Sequence, residues 1–201
     1  MKRVVVLDYG SGNVRSVVRM LERVGAEVTL TGDASAALAA DGLYVPGVGN
    51  FHACVGALVD SGGAAVVRSR VEAGRPVLGV CVGFQSFFED STEEGGGRPG
   101  LGLWTGQVSR LRAPVVPHMG WSPVTVAAGS TLFRGVEDER FYFVHSFAPH
   151  SFDAPALVST AEHGERFVAA VEDGALAGTQ FHPEKSGDAG AHLLTNWLET
   201  L

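Results

Sequence analysis

Two short segments carry the side chains with the clearest chemistry. In Pro76-Val-Leu-Gly-Val-Cys81-Val-Gly-Phe-Gln85 an apolar run enters Gly79-x-Cys81-x-Gly83, and a second apolar segment leaves it. That is the order of a strand, a sharp turn bearing a nucleophile, and a helix, with sulfur where a serine elbow has oxygen. Glycines on both sides let the backbone turn and push the thiol out at the carboxyl edge of a sheet. The N–H groups and dipole at the start of the following helix favour the thiolate, the reactive form. The N–H of Val82, directly after the cysteine, is positioned to donate to an oxyanion. Cysteines in general are more often small buried hydrophobes, and Cys54 in Phe51-His-Ala-Cys54-Val is read that way.

The second segment is Gly178-Thr-Gln-Phe-His182-Pro-Glu184-Lys-Ser186. A strand leads to His182, Pro183 fixes the turn, and Glu184 follows two residues on. Residues two apart in an extended segment project to the same side. Glu184 can therefore hold the imidazole in one tautomer, and Cys81, His182 and Glu184 form a nucleophile, base and orienting carboxylate. A histidine beside an acid is common on surfaces. Of the seven histidines, only His182 combines a strand end, a rigid proline and a carboxylate partner. The other six show no H-x-x-x-H or H-E-x-x-H spacing, so a metal site such as zinc is not expected.

The elements that must position these groups are legible as an alternation. Buried-strand runs at Arg3–Leu7, Glu27–Leu30, Leu43–Val45 and Pro76–Val80 are separated by helical segments. These span Asn13–Val24, Asp33–Ala40, about Phe51 onward, and a stretch ending at Glu72; another helix begins at Phe84–Phe88. The βαβα order predicts a parallel sheet covered on both faces. After it, strand-like runs at 106–111, 122–126, 140–144, 156–160 and 167–171 predict antiparallel additions to that sheet. Leu176–Phe181 is a further strand, and Ala189–Leu198 a closing helix. The Gly95–Gly100 stretch reads as a flexible loop. No repeat or long linker divides the chain, so residues 1–201 are expected to be one domain.

Composition narrows the function. A chain of 201 residues, 45% hydrophobic and 18% charged, has the makeup of a soluble globular protein with a sizeable core. A formal net charge of -7 with no Lys/Arg-rich run argues against nucleic acid and anionic membranes as partners. The start of the chain is too short in apolar residues for a signal core, and two cysteines suggest no disulfide framework; a cytoplasmic location is expected. Asp8-Tyr-Gly10-Ser-Gly12-Asn13 follows a strand and opens a helix, as a dinucleotide site does. The third glycine of that fingerprint would fall at Arg15, so the pattern fails.

The pairing of G-V-C-V-G-F-Q with Q-F-H-P-E resembles the class I, triad-type glutamine amidotransferases. Asp8–Asn13, Leu43-Tyr-Val-Pro-Gly-Val-Gly49, Pro117-His-Met-Gly-Trp121, Phe141-Tyr-Phe-Val-His-Ser146 and Phe181–Ser186 narrow this further. Together they resemble the glutaminase subunits of imidazole glycerol phosphate synthase, over nearly the whole chain. The resemblance implies a three-layer, flavodoxin-like α/β fold with a mostly parallel sheet. It implies hydrolysis of glutamine through a Cys81 thioester, without a cofactor. The ammonia passes to a (β/α)8-barrel cyclase subunit, in a heterodimer serving histidine biosynthesis. It implies that Val48 and Val82 are oxyanion donors, and that Gly49, Gln85, Glu93, His145, Ser146 and Phe147 hold the substrate. Asn13, Met119, Trp121, Tyr142 and Lys185 would face the partner. A rearranging Gly47–Val48 peptide would serve as the switch that keeps the amidase idle until the partner site is filled. The chain departs from the family where Val82, Phe84 and Phe147 stand in place of the usual Leu, Met and Tyr. Another class I glutaminase, such as the pyridoxal phosphate-synthesis subunit, a peptidase-like hydrolase, or a catalytically silent module are the rival readings; the PHMGW block argues against the first two, and the intact triad against the third.

Overall fold

The computed structural model describes residues 1–95 and 97–201; one residue of the expected 95–100 loop, Gly96, lies outside the described residues. The strands are β1 (Arg3–Leu7), β2 (Glu27–Thr31), β3 (Gly42–Val45), β4 (Val77–Val80), β5 (Asp90–Ser91) and β6 (Gln107–Arg110). They continue as β7 (His118–Pro123), β8 (Arg140–His145), β9 (Phe147–Pro149), β10 (Leu157–His163), β11 (Glu165–Asp173) and β12 (Leu176–Thr179). The helices are α1 (Val14–Arg23), α2 (Ala34–Ala39), α3 (Phe51–Asp60), α4 (Gly63–Glu72), α5 (Val82–Gln85) and α6 (Gly187–Glu199), with a 3-10 turn at Pro183–Lys185.

The central sheet has seven strands in the order β10-β11-β12-β4-β3-β1-β2. Strands β2, β1, β3, β4 and β12 run parallel, while β11 and β10 return antiparallel. Val4–Leu7, Leu43–Val45 and Val77–Val80 are buried at every position, as strands covered on both faces must be. Helix α1 packs on α6, whereas α2, α3 and α4 pack among themselves. Asp33 and Asn50 start α2 and α3 by accepting the Ala36 and Ala53 N–H groups at 2.7 and 3.1 Å. Arg70, fully buried on α4, binds the carbonyls of Ala37, Leu38, Ala40, Asp41 and Pro76 and so ties α2 to the loops before β3 and β4.

Three expectations are corrected. The antiparallel strands do not all extend the central sheet: β5, β6 and β9 form a second sheet, and β7 pairs with β8 alone. Alternation along β8 buries Phe141, Phe143 and His145 on one face, so the ribbon covers the core without needing a sheet edge. The strand placed at 122–126 begins at His118, and Thr125 makes only an isolated bridge to Thr160. Finally, the helix after Cys81 starts at Val82 and ends after one turn. The carbonyls that would prolong it are taken from outside. Ser86 accepts Leu101 N–H at 2.7 Å, and Phe87 accepts those of Leu103 and Trp104 at 2.8 and 3.0 Å.

Candidate active site

Cys81 stands at the carboxyl end of β4 with φ 56° and ψ -117°, and among the described residues no other non-glycine has a positive φ. Such a conformation is strained and persists only where its surroundings enforce it. The neighbouring turns enforce it by contact. A Cβ on Gly83 would sit 2.2 Å from the Val45 oxygen, and one on Gly47 would sit 2.1 Å from the Gly83 nitrogen. Only glycines at both places let the β3 and β4 turns touch. The Cys81 N–H is tied to Thr179 O of β12 at 2.8 Å.

The partner strand β12 leads to His182. Its main-chain N–H donates to Tyr142 O at 2.9 Å, and its carbonyl accepts the Ser186 hydroxyl at 2.7 Å. The segment beyond is a 3-10 turn rather than the extended run expected, yet the side chains meet as foreseen. His182 Nδ1 lies 2.7 Å from Glu184 Oε1, with both side chains almost wholly buried. Since a carboxylate accepts, Nδ1 carries the hydrogen. The opposite nitrogen, Nε2, is buried without a hydrogen-bond partner among the described residues. Burial pushes the imidazole pKa down, but Cys81 and Glu184 outweigh burial and raise it to about 10. The second oxygen of Glu184 accepts the buried Tyr44 hydroxyl at 3.3 Å. Burial first, and then Glu184, holds Tyr44 well above the usual phenol range, so it remains a donor.

A cavity of about 310 Å³ opens over this group, near the lower end of the range of small-molecule sites, roughly 300–1,000 Å³. Cys81, His182, Val48, Val82 and all six expected substrate contacts, Gly49, Gln85, Glu93, His145, Ser146 and Phe147, line it. Glu184 stands behind His182, outside the lining. Of the two adjacent acids, Glu93 is the one on the cavity, and its carboxylate accepts Phe51 N–H at 2.7 Å; Glu94 is exposed. Lys185, expected at the partner face, also lines the cavity. Asn13, Met119, Trp121 and Tyr142 lie outside it. Met119 and Trp121 are 63% and 49% exposed, unusual for large apolar side chains. Phe84 does not reach the cavity and packs edge-on against Phe88 and Trp104.

The expected oxyanion hole is not formed in this conformation. The Gly47 carbonyl accepts Val82 N–H at 3.3 Å, and Val48 N–H donates to Ser11 Oγ at 3.3 Å. The peptide between Gly47 and Val48 therefore presents its oxygen, not its N–H, on the Cys81 side. Three contributors escaped the sequence reading. Tyr44 looked like one more apolar residue of a buried strand. Gln180 and His118 lay within quoted motifs but carried no assigned role. Gln180 bridges Gln85 and Cys81, and His118 hydrogen-bonds His145 at 3.1 Å.

The chain matches the family described as "Glutamine amidotransferase class-I" over residues 5–201. It is 59% identical over 203 residues to "Imidazole glycerol phosphate synthase subunit HisH" of Mycobacterium bovis, covering 100% of this chain and 98% of that one. The protein of the same name from Corynebacterium diphtheriae is 54% identical over 211 residues, covering 100% of both. Among solved structures, one described as a glutamine amidotransferase aligns with a TM-score of 0.75 at 22% identity, over 98% of this chain and 99% of that one. A putative GMP synthase component from Thermoplasma acidophilum aligns with a TM-score of 0.74 at 20% identity, over 99% and 93%. These structures share the fold. The chain belongs to the class I glutamine amidotransferase family, among the members named imidazole glycerol phosphate synthase subunit HisH.

Proposed function

We propose that this protein, acting as one glutamine amidotransferase domain over residues 1–201, hydrolyses glutamine and supplies the ammonia to a (β/α)8-barrel cyclase subunit of imidazole glycerol phosphate synthase. The Cys81 sulfur attacks the side-chain amide carbon, and the C–N bond breaks as His182 Nε2 gives its proton to the leaving nitrogen. Ammonia leaves, and glutamate remains as a thioester on Cys81. Water then attacks the thioester carbon while His182 takes its proton, and the sulfur departs with glutamate released. Glu184 keeps Nδ1 protonated throughout, with Tyr44 fixing the carboxylate from behind. In the cyclase, ammonia reacts with the phosphoribulosyl-formimino carboxamide nucleotide, giving imidazole glycerol phosphate and an aminoimidazole carboxamide nucleotide. Both partners would meet in the cytoplasm, where free thiols persist.

The observation that carries this reading is the buried His182–Glu184 pair at 2.7 Å, with Nε2 unengaged on the same cavity as the strained Cys81. Before reaction, the Gly47–Val48 peptide would have to rotate, releasing Val82 N–H and turning Val48 N–H inward to complete the oxyanion hole. Binding of the cyclase through Asn13, Met119, Trp121, Tyr142 and Lys185 would favour that rotation. The test is co-purification with the cyclase and a glutaminase assay with and without its nucleotide ligand. Stimulation by cyclase and nucleotide is expected; stimulation by a different synthase instead would overturn the assignment.

A further inference from the structure

Gln180 is fully buried at the end of β12, between Cys81 and Gln85, and does not line the cavity. Its amide could in principle face either way, but its neighbours permit one orientation. The Phe147 carbonyl can only accept, so the Gln85 atom 2.8 Å from it is Nε2. The same NH2 group lies 2.9 Å from the Gln180 amide, which must therefore present Oε1 there. The Gln180 NH2 is left facing the Cys81 sulfur at 3.9 Å. A second arm ends on the same carbonyl. His145 Nδ1 donates to Phe147 O at 3.0 Å, which leaves His145 Nε2 to accept from His118 Nδ1 at 3.1 Å. His118 Nε2 then accepts the Ser122 hydroxyl at 2.8 Å. Both arms converge on one acceptor, so no member can reverse without leaving a buried polar group unpaired.

We propose that Gln180 is a positioning residue for the nucleophile, donating to the Cys81 sulfur with a polarity imposed from the Phe147 carbonyl through Gln85. A hydrogen bond to the charged form favours that form, and here it adds to what a single-turn helix can supply. Helix α5 has four residues, too few for a substantial dipole. Gln180 thus offers the sulfur a donor that keeps its proton, while His182 exchanges its own during turnover. Gln180 acts through Cys81 and not on the substrate.

The inference rests on Cys81 as the nucleophile, but its test reads the thiol directly and is independent of glutamine turnover. Alkylation of Cys81 by iodoacetamide is followed by peptide mass across a pH series, in the full chain and in Gln180→Glu and Gln180→Met. Glutamate is isosteric but places an acceptor at the sulfur, so the rate near neutral pH should fall about tenfold. The difference should close at alkaline pH. Methionine, uncharged and similar in size, should slow alkylation in the same direction by a few-fold. Thermal melts establish that each variant is folded. With the cyclase present, kcat for glutamine should fall while KM stays within about twofold. A folded Gln180→Met or Gln180→Glu protein with the wild-type pH profile would overturn the proposal. So would a rise in KM at unchanged kcat, which would place Gln180 on the substrate.

Discussion

The Gly47 carbonyl accepts the N–H of Val82 at 3.3 Å, occupying the donor that directly follows Cys81. The same peptide is held from its other side, because Val48 N–H donates to Ser11 Oγ at 3.3 Å, while the Ser11 hydroxyl donates to the next carbonyl, Val48 O, at 3.3 Å. Rotation of the peptide has to break the Gly47 O and Val48 N–H bonds. Ser11→Ala removes the hydroxyl at a cost to the resting conformer of about 0.5–1.5 kcal/mol. The rate of glutamine hydrolysis without the cyclase should then rise by about 2–10-fold. An unchanged or lower rate in that assay would show that Ser11 does not hold the resting state.

Tyr44 and His182 grip opposite oxygens of Glu184, at 3.3 and 2.7 Å. Losing a hydrogen bond to a carboxylate costs about 1.5 kcal/mol at the low end of the range for charged acceptors. Tyr44→Phe should therefore lower kcat about tenfold with little change in KM. Glu184→Gln should lower it further but still less than removal of the Cys81 sulfur, because the carboxylate orients and does not react. Steady-state kinetics of the three variants rank them, and equal losses for Glu184→Gln and Cys81→Ala would contradict this division of labour.

Two histidine groups set opposite pH limits on stability. His182 is raised from its ordinary 6.5 to about 10. Its stabilisation is present in full below pH 6.5 and is lost as pH rises through about 10. Buried His118 and His145 are lowered to about 4 and 3, chiefly by burial. Their contribution is present above pH 6.5 and is lost as pH falls through those values, because the unfolded chain takes up protons first. Melting temperatures across pH should show His182→Asn flattening the alkaline limb and His118→Gln flattening the acid limb. Parallel curves for wild type and both variants would refute the assignment.

Arg70 satisfies five carbonyl groups from a fully buried position. Arg70→Met keeps the apolar stem but takes the guanidinium from Ala37, Leu38 and Asp41, each acceptor worth about 1–3 kcal/mol when buried and unpaired. Ala40 O keeps Arg75, and Pro76 O keeps Leu43 N–H. Denaturant titration should show a loss of at least about 3 kcal/mol; a loss below about 1 kcal/mol would mean that water replaces the guanidinium.

Trp121 and Met119 point outward from β7, while His118 on the same strand points inward to His145. An exposed aromatic at an interface centre is commonly worth about 2 kcal/mol or more. Trp121→Ala should weaken cyclase binding about 30-fold by calorimetric titration, and unchanged affinity would move the interface elsewhere.

The parallel half of the fold and the tight turn at Cys81 were legible because their signals are local. Apolar runs such as Arg3–Leu7 and the glycines around Cys81 state their geometry within a short stretch of chain. The misjudged parts depend on distant chain. Helix α5 stops because residues 101–104 claim the carbonyls of Ser86 and Phe87. Strand β7 starts at His118, ahead of the run expected at 122–126, because its register is set by pairing with β8. Glu184 was found for an incomplete reason: a 3-10 turn, not an extended segment, delivers it to His182. Tyr44 and Gln180 escaped notice because nothing in a strand's sequence says which polar group waits behind it.

The proposed mechanism requires Cys81 to carry the glutamyl group during turnover. The direct measurement is rapid acid quenching of the cyclase complex while it consumes glutamine, followed by peptide mass analysis. A glutamyl adduct on the Cys81 peptide, absent from Cys81→Ala along with glutamate production, is the predicted result. Glutamine hydrolysis that persists in Cys81→Ala, or an adduct on Cys54, would contradict the mechanism.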